Sequence, residues 1–214
     1  MLYEALQVLA TEVNNFLESE TLSRDVIIGN IAMLDSEQPD DDTSMEDKVV
    51  LTLLTMDEEA TLRNFPNMRV NGTSVSYRNN RVNLNLYVLF SGNKKKYANS
   101  LIYVSKVLEF FQGKNLFTQS NTSYDREKPY LKELKDFRFT MELYTPTFED
   151  LNYIWGTLGG KQLPSALYKL SLVIIEEDNT VKESALIVED SGVFSSYGKL
   201  PPDGYIEDDD DLNP

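Results

Sequence analysis

Apolar positions at the start of the chain recur with helical spacing. Leu2, Ala5, Leu6, Leu9, Val13, Phe16 and Leu17 fall on one side, with Glu4, Gln7, Thr11, Glu12 and Asn15 elsewhere. This predicts an amphipathic helix over 2–18 whose stripe faces a core, although a partner-docking helix would carry the same stripe. Residues 26–31 are a short β-branched run and read as a strand. Residues 48–55, KVVLTLLT, are apolar enough for a strand covered on both faces. Asn71-Gly72 lies between two short strand-like runs, 68–70 and 74–77, and predicts a type I′ hairpin turn. In 82–90 the alternation is clean. Val82, Leu84, Leu86, Val88 and Phe90 share one face; Asn83, Asn85, Tyr87 and Leu89 share the other.

A second helix is predicted over 95–112. Its stripe is Tyr97, Leu101, Val104, Leu108 and Phe111, broadened by Ile102 and Phe110, and Gly113 is placed to cap its C-terminus. Short strands follow at 116–119 and 137–144. Thr147 offers an N-cap hydroxyl to a helix over 148–158, with Glu149 and Asp150 in the first turn, and Gly159-Gly160 stops it. Residues 167–175 form a last strong strand. The order, roughly α-β-β-β-β-α-β-β-α-β, fits a single α+β domain over 1–178: a mixed, largely antiparallel sheet flanked by helices. Residues 179–214 hold one candidate strand, 185–188, and then Ser, Gly, Pro and acids. They read as an acidic, extended or disordered tail.

Composition narrows the chemistry. The 214 residues are 41% hydrophobic, enough for one sizeable core. There is no Cys and no His. Disulfides, thiolate metal sites and Ser–His or Cys–His catalysis are therefore excluded. The lack of cysteine suits synthesis in the cytoplasm. The net charge of −15 disfavours nucleic acid and anionic membranes as partners, and −10 of it falls after residue 175. The N-terminus lacks the basic region of a signal peptide, and no apolar run is long enough to span a bilayer.

Local motifs add no catalytic, cofactor or metal site. Asp40, Asp41 and Asp42, in the polar loop 38–47, lack the spacing of a calcium loop. Glu58-Glu59 and Glu176-Glu177 are adjacent residues whose side chains point to opposite faces of a strand. Gly159-Gly160-Lys161 lacks the rest of a phosphate loop. Lys94-Lys95-Lys96 is a small basic patch that reads as solvated surface, able to meet a partner carboxylate.

Four stretches carry a family resemblance: KVVLTLLTMDEEATLRN (48–64), LNLYVLF (84–90), FFQGKNLFTQSNT (110–122) and LNYIWGTLGGKQLPSALYKLSL (151–172). The opening LYEALQVL (2–9) matches in kind, Ser120 departs from the pattern, and the tail shows none of it. Together these blocks resemble the cap, or tail terminator, proteins of extracellular contractile injection systems, which are phage-tail-like particles. The resemblance implies a structural protein rather than an enzyme. It implies a ring, six copies in number, set on the distal end of the inner tube and the last sheath layer. Such a ring stops tube growth and anchors the sheath. The particle is assembled in the cytoplasm and then released. A ring closes through a heterologous interface, and such interfaces favour aromatics and Arg. Arg63, Phe65, Phe110, Phe117, Tyr153 and Trp155 are the interface candidates, each with a plainer reading as core or loop. The competing function is a protein-binding adaptor whose acidic tail recruits a basic partner.

Overall fold

The computed structural model describes residues 2–34, 44–59, 68–71, 74–78, 82–123, 137–175 and 180–185. Among them, helix α1 (Leu2–Ser19) leads into β1 (Val26–Ile28), a 3-10 turn (Ile31–Met33) and β2 (Lys48–Glu58). Then come β3 (Met68–Asn71), β4 (Ser74–Arg78), β5 (Val82–Asn93), α2 (Tyr97–Gly113), β6 (Leu116–Thr118) and β7 (Arg138–Leu143). Helix α3 (Phe148–Thr157), β8 (Ser165–Ile175) and β9 (Thr180–Ala185) complete the order. Six strands form a mixed sheet in the order β1-β2-β5-β8-β7-β6, with only β1–β2 parallel. A second, antiparallel sheet has the order β3-β4-β9. The α+β class expected from the sequence is the one observed.

The alternation along β5 has two apolar destinations. Leu84, Leu86, Val88 and Phe90 join the core beneath α1 and α2, with Val8, Leu9, Val13, Val104 and Val107 above them. Leu89 points the other way, into a smaller core with Val50, Leu167, Ile31, Met45 and Trp155 of α3. The six-stranded sheet is thus the middle layer, which explains why β2 and β5 are apolar on both faces. The cover gives out along β2. Val49 to Thr52 are buried, whereas Thr55 to Glu58 are exposed.

The stripe predicted for α2 is right at Val104, Phe110 and Phe111 and misplaced at its other positions. The buried residues are Ser100, Tyr103, Val104, Val107, Phe110 and Phe111, while Tyr97, Leu101, Ile102 and Leu108 are exposed. A small pair of residues sets this phase. A Cβ on Gly92 would stand 3.1 Å from the Ser100 carbonyl oxygen and 3.2 Å from its Cα, so helix and strand backbones meet closely there and a side chain would push them apart by a few tenths of an ångström.

Smaller departures have local causes. The strand at 26–31 ends at Ile28. The Thr52 hydroxyl donates to the Gly29 carbonyl at 2.7 Å and accepts from the Ile31 N–H at 3.2 Å, and Asn30 caps the 3-10 turn. In the hairpin Asn71 pairs with Ser74, so Asn71 belongs to the strand and the connection is Gly72-Thr73, outside the described residues. Gly113 does not act as a left-handed cap. It is the last residue of α2, and the extended residue Lys114 closes the helix with its N–H on the Phe110 carbonyl at 2.9 Å. Gly159 and Gly160 behave as expected, at φ +99° and +79°. Strand β9 lies past the expected domain boundary at 178, a few residues earlier than the candidate strand 185–188, and it pairs with β4. The polar loop 38–47 falls mostly, and the acidic run 207–211 wholly, outside the described residues.

Candidate assembly surface

Helix α3 is built to hold one face of the sheet while showing aromatic side chains outward. Thr147 and Asp150 form a capping box at its start: the Asp150 N–H donates to the Thr147 hydroxyl oxygen at 3.1 Å, and the Asp150 carboxylate accepts from the Thr147 N–H at 3.1 Å. Hydrogen bonds from the Thr147 hydroxyl and backbone hold the Asp150 carboxyl below the usual range. At the other end, the two left-handed glycines stop the helix. With both ends fixed, Trp155 turns inward and Tyr153 turns outward, 65% exposed, its hydroxyl 3.3 Å from the Glu149 carboxylate.

Two hollows adjoin α3. The larger is an open groove of about 700 Å³, lined among others by Leu54, Tyr87, Tyr144, Tyr153, Ile154 and Leu158. Tyr87 and Tyr144 meet edge to face there at 5.3 Å. The smaller, of about 230 Å³, shares Tyr144 and Ile154 and adds Leu108, Leu143 and Pro146. Around them Leu143 is 58% exposed and Phe148 91%. An exposed apolar cluster of this kind is a feature of interaction surfaces.

Of the four interface candidates that fall among the described residues, Tyr153 alone stands on this surface. Phe110, Phe117 and Trp155 are buried in the chain's own cores, which takes them out of reach of a partner. Phe117 stacks on Phe139 at 5.3 Å, and Phe110 lies 5.0 Å from Phe111. Arg63 and Phe65 lie outside the described residues. Tyr87, Leu143, Tyr144 and Phe148 were not singled out. The one available signal was Phe148, an apolar residue directly after the N-cap Thr147.

Of the three lysines read as solvated surface, Lys95 and Lys96 are exposed, but Lys94 is engaged inside the chain. The Lys94 side chain is 4% exposed; its ammonium donates to the Asp25 carboxylate and to the Asp47 carbonyl, and it sits 4.0 Å from the Tyr103 ring centre. Lys48 adds a second contact to Asp25 at 3.0 Å, and the Tyr103 hydroxyl a third at 3.2 Å. Burial pushes the Asp25 carboxyl upward, but the bonds and charges of Lys94 and Lys48 outweigh it and hold the group below its ordinary value. Glu12, expected on the polar face of α1, is buried. It accepts from the Lys114 ammonium and, at 2.6 Å, from the Ser123 N–H. That tie secures the segment carrying the FFQGKNLFTQSNT block to α1. Among the described residues no group of three or more carboxylates could hold a metal ion. Among them, too, no helix is long and apolar enough to cross a membrane.

What these features describe is a layered α+β module whose described polar clusters tie its own elements together and which shows Tyr144, Phe148 and Tyr153 outward on and beside one helix. Residues 4–189 match the family model of the Pvc16 N-terminal domain, and the chain belongs to that family. Its fold is similar to that of a sheath/tube terminator of an extracellular contractile injection system, PVC, in the extended state. The TM-score is 0.61 at 12% identity, over 94% of this chain and 65% of that one. The present sequence thus spans just under two thirds of that terminator's length. The tube-terminating cap of the anti-feeding prophage also matches, with a TM-score of 0.48 at 14% identity, over 68% of this chain and 49% of that one. No curated protein matches the chain. The resemblance drawn from the sequence blocks therefore leads to the same family as the match along the chain.

Proposed function

We propose that this protein is a structural cap of a contractile injection system: copies form a ring, six in number, on the distal end of the inner tube and the last sheath layer. The ring ends tube growth and anchors the sheath, without catalysis. The observation that carries this reading is the shared fold with a sheath/tube terminator over nearly the whole chain, joined to membership of the Pvc16 N-terminal domain family. The shelf of Tyr144, Phe148 and Tyr153 beside α3 supplies the contact surface, because it offers rigid aromatic area at low entropic cost. Assembly takes place in the cytoplasm, and the finished particle is released.

The test is made in the producing cells. Deleting the gene is expected to give tubes of uncontrolled length and sheaths detached at one end, as measured by electron microscopy of particles. Restoring the wild-type gene restores a single length. Restoring Tyr153→Asp is expected to leave the chain folded but the tube ends uncapped. Particles of normal length in the deletion strain would overturn the proposal.

A further inference from the structure

On both outer strands of the six-stranded sheet an asparagine side chain occupies outward-facing backbone groups. In β1 the pairing with β2 runs through the carbonyl of Asp25, which accepts from Val49, and the N–H of Gly29, which donates to Leu51. The alternation of a strand then turns the N–H and C=O of Val26 away from the sheet. Asn14 of α1 meets both: its amide nitrogen donates to the Val26 carbonyl at 2.8 Å, and its amide oxygen accepts from the Val26 N–H at 2.9 Å. At the opposite edge, β6 pairs with β7 through Asn115, whose carbonyl accepts from Met141 at 2.8 Å, and through Phe117 opposite Phe139. Leu116 and Thr118 therefore point outward. Asn121 folds back onto them. Its amide nitrogen donates to the Leu116 carbonyl at 2.9 Å, its amide oxygen accepts from the Thr118 N–H at 2.8 Å, and its own N–H reaches the Thr118 carbonyl at 3.2 Å.

An open edge is a template for another copy's strand. A side-chain amide sets a donating nitrogen beside an accepting oxygen, as a neighbouring backbone does, but carries no further strand behind it. We propose that Asn14 and Asn121 terminate the six-stranded sheet and so keep copies of this chain from joining through its edges, confining self-association to other surfaces. The two sites share a chemistry but no sequence neighbourhood, and each acts on a strand of only three residues. The Asn121 plug is itself held, since its carbonyl accepts from the Lys114 ammonium at 2.6 Å and Lys114 is anchored on Glu12. The inference concerns the chain on its own and stands apart from the capping role.

The deciding experiment uses full-length Asn121→Ala. Asn121 is exposed, so its truncation leaves no cavity in the core. The variant is compared with the wild type by sedimentation velocity across a concentration series, with hydrogen exchange read at the Thr118 amide. In dilute solution that amide is expected to exchange about tenfold faster, the effect of losing one ordinary hydrogen bond. At high concentration the variant is expected to form larger species that the wild type lacks, and in them the Thr118 amide regains protection. Asn14→Ala repeats the test at Val26. A variant that keeps the wild-type distribution of species overturns the proposal. So does one that associates while Thr118 stays unprotected, because association then runs through another surface.

Discussion

Gly159 and Gly160 stand at positive φ with open space where each Cβ would be built. Any penalty for a side chain there is therefore conformational and not steric. Replacing both by Val is expected to cost about 2 kcal/mol or more, read as a lower midpoint in a denaturant titration. The second residue-scale test concerns Lys94. Removing it leaves the part-buried Asp25 with a single ammonium partner, and Lys94→Met is expected to destabilise the protein by about 3 kcal/mol at pH 7. Because the folded state lowers the Asp25 pKa, the stabilisation is present above the unfolded value, about 3.8, and disappears as pH falls through the lower folded value. The gap between variant and wild type is therefore expected to narrow at pH 3, as measured by urea titrations at both pH values. The sequence did not reveal Lys94 in this role. In a run of three lysines nothing marks which one is buried; that is decided by Asp25 and Asp47, which reach the site from other elements.

At the scale of elements, α1, α3 and the alternating strand β5 were legible because each has one consistent pattern and, for α3, marked ends. Helix α2 was not. Tyr97, Leu101, Ile102 and Leu108 are as apolar as the buried set, so two stripes compete, and the deciding contact involves Ser100 and Gly92, which carry no hydrophobic signal. The consequence is measurable. Phe111→Ala is expected to cost about 3 kcal/mol or more, as for a buried aromatic. Leu101→Ala is expected to stay within about 0.5–1 kcal/mol, as at an exposed site. Thermal melts of the two variants settle which phase faces the core. The surface beside α3 was half legible for a related reason. Tyr153 follows from its helix, but the exposure of Tyr144 and Leu143 depends on how far other elements reach over the end of β7, and no local pattern encodes the end of a neighbour.

At the scale of the whole molecule, the acidic segment gives one test. The run 207–211 has no apolar periodicity to offer a core, so a chain ending before Gly192 is expected to keep its melting temperature. Loss of folding would show that the segment is structural. A different consequence follows from the order of strands in the main sheet. Strand β5 lies between β2, already made, and β8, made long after; Phe90 faces Leu51 on one side and Ala166 on the other. During synthesis the first half can assemble α1, β1, β2, β5 and α2 while β8 is still unmade. The partly made sheet then ends at β5, a long strand with its backbone open to a stranger. At ordinary rates of translation this interval lasts on the order of ten seconds. Neither asparagine can act there, because that edge becomes the middle of the finished sheet. Premature termination near Gly160 is therefore expected to send the product to the insoluble fraction, and crowded polysomes, where nascent copies lie side by side, are where this protein is most exposed to joining itself.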